Sequence, residues 1–214
     1  YLPVLKRHGF HGPAYCSEGT ADLARILLPD SGHLQEEEAA FLNKHGRTRH
    51  TPALPLYTRD DAEDALPLLR EVAFHKDIPL SKAMRFRLIP AGHILGASSV
   101  VMNCSGHRIG FSGDLGRPVD VLMPAPEALP EIDTLLVEAT YGDRMHEKED
   151  PAVPLARILN HAFVRGGVVL IPAFAVGRTQ TLLHLLHGLR TTGAIPAATR
   201  IVMDSPMAAA ATRM

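Results

Sequence analysis

No apolar run in the chain approaches the roughly 18 residues that a spanning helix needs, so the sequence predicts no membrane crossing. The opening residues, YLPVLKRHGF, lack the charged segment and apolar core of a secretory signal. Cysteine is nearly absent. Cys16 and Cys104 stand far apart, which excludes both a thiolate zinc knuckle and a disulfide framework. Charge of one sign is also missing: 22 Lys and Arg against 23 Asp and Glu leave a formal net charge of −1. A polycationic nucleic-acid coat is therefore excluded, and any contact with phosphates must be local. Neither an internal repeat nor a low-complexity linker interrupts the chain. These absences together predict a soluble protein of a reducing compartment, the cytoplasm. Against them stand 214 residues, 46% of them apolar, enough for a sizeable core and no signature of disorder. The one excess is histidine, 12 in all, and histidine is both the commonest metal ligand and a proton carrier near neutral pH.

Glycine, proline and acidic residues divide the chain into elements. Residues 2–8 are expected to form a short amphipathic helix closed by Gly9, PAYC (13–16) has strand character, and 20–28 reads as a helix with Thr20 as its N-cap. A separate amphipathic helix is expected over 33–46, with Leu34, Ala39 and Leu42 on one side and Gly46 at its end. After a loop at 46–55, residues 60–73 read as a helix with acidic residues in its first turn, as the helix dipole favours. The pattern then changes to strands at 84–89, 97–104 and 107–112. Beyond Pro130, continuous apolar strands are expected at 133–138, 166–172 and 200–204, with helices near 153–164 and 177–189 between them. Such alternation predicts βαβ units in the last third, after an antiparallel part. The polar stretch DRMHEKED (143–150) marks a domain boundary. The chain starts on Tyr1 rather than methionine and stops within a helix-like run, SPMAAAATRM, so both ends read as cut.

Ser105-Gly106 is a two-residue loop of hairpin type, and the register that it sets can be worked out by hand. If Cys104 faces His107, then Met102 faces Ile109 and Val100 faces Phe111 on one side of the ribbon. The other side carries Asn103 with Arg108 and Ser99 with Ser112. Continued outward, the register puts Ala97 opposite Asp114. The loops PAGHILGAS (90–98) and FSGDLGR (111–117) then leave the same end of the hairpin, each with one metal-competent side chain among glycines. A loop histidine or a Gly-Asp turn is commonplace taken singly, but imidazole nitrogen and carboxylate oxygen converging at one end are zinc donors. Arg178, at the start of a helix that follows a strand, is placed to meet a phosphate beside free backbone amides, unless it is an ordinary solvated arginine. Glu138 would by itself read as a strand-end carboxylate that caps nearby backbone. His184 and His187 lie three apart on a leucine-rich helix, where surface histidines are the commoner finding. His33, His45, His50, His75, His107, His146 and His161 read as surface residues, and Glu36 to Glu38 as a solvated helix face.

PAGHILGAS, FSGDLGR, LLVEATYGDR (135–144) and IPAFAVGRTQTLL (171–183) occur in this order in the beta-CASP branch of the metallo-beta-lactamase superfamily, nucleases that process RNA or DNA ends, and the chain resembles that branch. YLPVLKRHGFHGPAYCSEGTADL (1–23), LLPDSGHLQEEEA (27–39) and PLYTRDDAEDAL (55–66) look like its prokaryotic RNA exonuclease group, related to the cleavage-and-polyadenylation nuclease subunit. The resemblance covers nearly the whole chain. It implies an α/β fold, an incomplete metallo-beta-lactamase αββα sandwich over 1–145 followed by the start of a beta-CASP domain over 146–214. By residue, it implies that His93 is a ligand of one zinc and Asp114 a catalytic carboxylate bridging two. Glu138 would be the acidic residue that orients a catalytic histidine further along the chain. The family's His-x-His-x-Asp-His motif does not occur here, and the HGFH spacing of His8 and His11 does not replace it. Its two later histidine motifs are absent too. The expectation is an internal fragment that is inactive by itself, has its remaining ligands beyond both ends, and leaves the hairpin with an unpaired edge or an exposed apolar face.

For the parent protein the resemblance implies zinc-dependent hydrolysis of phosphodiester bonds in single-stranded RNA, as a 5′–3′ exonuclease, an endonuclease or both. A DNA-processing nuclease of the same branch remains open, as does a scaffold subunit of an RNA-processing complex that keeps the fold without catalysis. A small-molecule lactamase-type hydrolase is disfavoured, because IPAFAVGRTQ opens the nuclease cap. The oligomeric state is open, with a homodimer among the options.

Overall fold

The computed structural model describes residues 1–145 and 149–214. His146 and the middle of the polar stretch at 143–150 lie outside the described residues. The fold is mixed α/β, in two compact units: Tyr1–Arg117 with Ala125–Val137, and Pro118–Pro124 with Glu138–Met214. No described helix is long and apolar enough to cross a membrane.

The first unit opens with α1 (Leu2–Arg7), which has Pro3 in its first turn, where a missing N–H costs nothing. β1 (Ala14–Cys16) leads into α2 (Glu18–His45). The two helices expected at 20–28 and 33–46 are one helix, and its N-cap is Ser17 rather than Thr20. Pro29 removes one hydrogen bond from the middle of α2. Contacts downstream of the proline hold the helix together: Gln35 Oε1 accepts the Leu56 N–H at 3.1 Å, Glu36 Oε2 accepts the Arg59 N–H at 3.0 Å, and the Asn43 side chain bonds both backbone groups of Ala53. The helix expected over 60–73 stops early. α3 covers only Arg59–Ala65, behind a capping box of Thr58 and Asp61, and a 3₁₀ turn at Leu66–Leu68 contains Pro67. β2 (Leu69–Glu71) then pairs in parallel with β1. A ladder partner for these three residues outcompetes their helical pattern.

β3 (Ile78–Pro79), β4 (Met84–Pro90), β5 (Ser98–Cys104), β6 (His107–Phe111) and β7 (Thr134–Leu136) form a five-stranded sheet in that order, antiparallel except for β6 with β7. The β5–β6 register is the expected one, from Cys104 opposite His107 to Val100 opposite Phe111. Ser105 and Gly106 both have positive φ, as a type I′ hairpin turn demands. Both hairpin strands are paired on both sides. Phe86 and Leu88 of β4 are buried on the face shared with Met102 and Val100, but that face opens toward β7, where Phe111 and Leu136 are 37% and 52% exposed. The opposite face buries Ile89, Ser99 and Val101. Tyr15 against Phe86, with ring centroids 5.3 Å apart, ties the small sheet to the large one.

In the second unit, α4 (Ala152–Val164), α5 (Arg178–Thr191) and α6 (Pro206–Thr212) are present. Leu159, Leu186, Leu189 and Ile195 form its core, and Val169 and Ile201 pack against them. The strands expected at 166–172 and 200–204 are not strands. Val169 and Ile201 turn inward while Val168, Leu170 and Val202 stand out in solvent, the two-residue alternation of an extended chain. Among the described residues no neighbouring strand gives these segments a ladder. The strand expected at 133–138 shortens to β7 for the same reason: only Thr134–Leu136 lie alongside β6.

Candidate functional site

β4 runs out at Pro90 and β5 resumes at Ser98, while β6 ends at Phe111. Since these three strands are neighbours, residues 91–97 and 112–117 emerge at one end of the sheet. The first loop closes on itself through the Ala91 N–H to Ala97 O (2.9 Å) and the Ala97 N–H to Ile94 O (3.0 Å). The two loops are joined by the Gly116 N–H, which donates to Ala91 O at 2.8 Å. Gly116 must be glycine there, because a Cβ would fall on the Gly92 carbonyl. Ser99 Oγ donates to Ser112 O at 2.7 Å and holds the second loop to the start of β5.

These fastenings put His93 Nε2 and Asp114 Oδ2 4.0 Å apart, with both side chains exposed to solvent. An imidazole nitrogen and a carboxylate oxygen bound to one tetrahedral zinc stand roughly 3.3 Å apart, from bond lengths of about 2.0–2.2 Å. Small rotations of two exposed side chains span the difference. The pair fits zinc in donor chemistry and supplies two of the four donors that a tetrahedral site takes. Among the described residues no group of three or more His, Cys, Asp or Glu gathers around a common point.

The other candidates belong to the second unit. Glu138 Oε2 accepts the Thr140 N–H at 2.9 Å, a local turn contact of the kind that a strand-end carboxylate makes. Arg178 opens α5 behind Gly177, with its guanidinium exposed and free of ion pairs among the described residues. His184 and His187 are exposed on the same helix, and every other described histidine is exposed as well. Cys16 and Cys104 are free thiols, and burial pushes the Cys16 thiol up from its ordinary value, with Glu71 adding to the shift. Sequence reasoning did not find the hydroxyls that surround the Gly96 carbonyl. Ser17 Oγ lies 2.7 Å from that oxygen, Ser98 Oγ 2.8 Å and Thr20 Oγ1 2.9 Å. The only available signal was a Ser-x-x-Thr helix start, which reads as an ordinary cap.

No family model matches the chain. Several curated proteins do. Ribonuclease TTHA0252 of Thermus thermophilus is 35% identical over 97% of this chain and 43% of its own length. Transcription termination factor FttA of Pyrococcus abyssi is 32% identical over 92% of the chain and 29% of its own length. An RNase J-like protein of Methanocaldococcus jannaschii is 27% identical over 84% of the chain and 39% of its own length. With these relatives and the four motifs in order along a mixed α/β fold, the chain is similar to the beta-CASP branch of the metallo-beta-lactamase superfamily. It spans less than half the length of each of these relatives.

Proposed function

We propose that His93 and Asp114 are ligands of a zinc centre in a protein that hydrolyses phosphodiester bonds of single-stranded RNA. The observation that carries this reading is the 4.0 Å approach of the two side chains on loops fastened to each other. A chance pairing of surface loops has no need of a glycine kept bare for backbone contact, as Gly116 is. The named ribonuclease among the relatives supports the substrate class. When bound, two zinc ions would supply an activated water and positive charge for the scissile phosphate. His93 offers a single nitrogen donor. Asp114 offers two oxygens, which suits a carboxylate shared between ions. Glu138 works as a positioning residue that orients a histidine through a hydrogen bond, and Arg178 adds a local cation for the nucleic-acid backbone. A formal charge of −1 leaves such local groups to do the binding.

The test measures zinc content and hydrolysis of labelled single-stranded RNA by the full-length protein, with matched DNA as a second substrate and a circular RNA to separate internal from end-directed cleavage. Asp114→Ala should lower bound zinc and cut turnover by about a hundredfold or more, as loss of a metal ligand does. His93→Ala should act in the same direction. Full activity with unchanged zinc in Asp114→Ala overturns the assignment. Preference for DNA would move the protein to the DNA-processing side of the branch, and a wild type without hydrolysis would favour the scaffold reading. For Glu138→Gln, zinc should stay while turnover falls.

A further inference from the structure

We infer that Ser17 and Thr20, at the N-terminus of α2, are positioning residues that hold the His93 loop through the Gly96 carbonyl. The inference rests on the zinc-site reading of His93 and gives a role to two residues for which the resemblance implies none. Ser17 is 2% exposed and caps α2, but its capping contact is the longer one: the Thr20 N–H lies 3.3 Å from Ser17 Oγ, whereas Gly96 O lies 2.7 Å away. The hydroxyl is thus engaged chiefly with a residue on a different element. Thr20 Oγ1 lies 2.9 Å from the same oxygen and 3.0 Å from Ser17 Oγ, so the two hydroxyls stand side by side on one carbonyl, each with its single proton available to that oxygen. Ser98, at the start of β5, brings the third hydroxyl to the same carbonyl at 2.8 Å.

The backbones meet as closely as the side chains. A Cβ at Gly96 would fall on the Thr20 amide nitrogen and crowd Ser17 Oγ at 2.7 Å, and Gly96 itself has a φ of +78°. A Cβ at Gly19 would stand 2.9 Å from both the Gly96 nitrogen and Leu95 Cγ. Bare backbone on both sides is what allows a helix start to lie against a loop. At the other end of the loop, Gly92 is held against Gly116. Only His93, Ile94 and Leu95 remain between the two fastenings. With so short a span, the direction in which His93 leaves the backbone follows from where Gly92 and Gly96 are held. A metal ligand displaced by a fraction of an ångström loses affinity steeply, which is the reason for fixing a ligand loop from outside.

The deciding measurement is hydrogen exchange of the amides in 91–97, compared with 100–104 of β5, in the full-length protein with and without zinc. Thr20→Val removes a hydroxyl at nearly constant shape, Ser17→Ala removes the other, and Thr20→Ser restores a hydroxyl. Loss of one hydroxyl bond to a carbonyl should speed exchange across 91–97 several-fold, and loss of both by about tenfold or more, with 100–104 unchanged. Zinc affinity, read by competition with a chelator, should fall in parallel, and kcat should fall while KM for RNA holds. Thr20→Ser should return loop protection and zinc affinity close to wild type. Unchanged protection in Ser17→Ala/Thr20→Val overturns the inference, and so does an equal loss at 100–104. The exchange arm needs neither zinc nor catalysis, so a wild type without zinc or nuclease activity would remove the proposed function while leaving the loop clamp decided on its own measurement.

Discussion

ASSVVMNC and GGVVLIP both carry paired valines, and both read as strands from their sequence. The first becomes β5, with a partner on each side, and the second runs extended through the second unit with no ladder among the described residues. Side-chain burial does not explain the contrast, because Val169 packs on its core as Val101 does on the sheet. The difference is the backbone. Residues 98–104 follow β4 and precede β6, so a partner strand for their backbone lies next along the chain on each side. A parallel strand at 166–172 would need a partner brought from far along the chain, and β-propensity by itself does not supply one.

The sharpest way to probe the comparison is to truncate one core residue in each unit. Leu88→Ala and Leu189→Ala, both buried, should each cost about 2–5 kcal/mol. In chemical denaturation followed by residue-resolved exchange, the first should lower protection only in the first unit and the second only in the second. If both variants lower protection everywhere equally, the two units unfold as one. Gly96→Ala is expected next, at about 2 kcal/mol or more, since both the positive φ and the Thr20 amide oppose a Cβ. Its effect should stay within the first unit.

Thr58→Ala should cost about 1 kcal/mol by removing the α3 capping box. That box also has a pH signature. The Thr58 backbone N–H holds the Asp61 carboxyl below its ordinary value, and Arg7 at 3.0 Å adds to the shift. A depressed folded value means that the contribution is complete above about pH 4 and is lost as pH falls through the lower, folded value. Asp61→Asn should therefore approach wild-type stability in acid and fall below it near neutrality, as read from denaturation midpoints between pH 2 and 7. The smallest effect belongs to the exposed segment of the second unit. Leu170→Ser, at a side chain that is 87% exposed, should change the stability of residues 1–214 by less than about 0.5 kcal/mol. A larger loss would mean that the segment is covered, and the contrast with β5 would weaken.

Local rules were sufficient wherever the partner lay nearby in sequence. The Ser105-Gly106 turn dictates the hairpin register, and that register alone puts the His93 and Asp114 loops at one end. The four motifs in order pointed to the same class of protein as a relative that is 35% identical over 97% of the chain. Tertiary structure decided the rest. Pro29 breaks a helix by propensity, yet α2 runs through it, because Gln35, Glu36 and Asn43 find backbone partners between residues 53 and 59. Residues 69–71 left a helical pattern once β1 lay alongside them, and 166–172 kept a strand's alternation without a strand's bonds. The hydroxyls on Gly96 were hidden for the same reason. A Ser-x-x-Thr at a helix start has a complete local explanation as a cap, and only the fold brings it against a carbonyl more than seventy residues away in sequence.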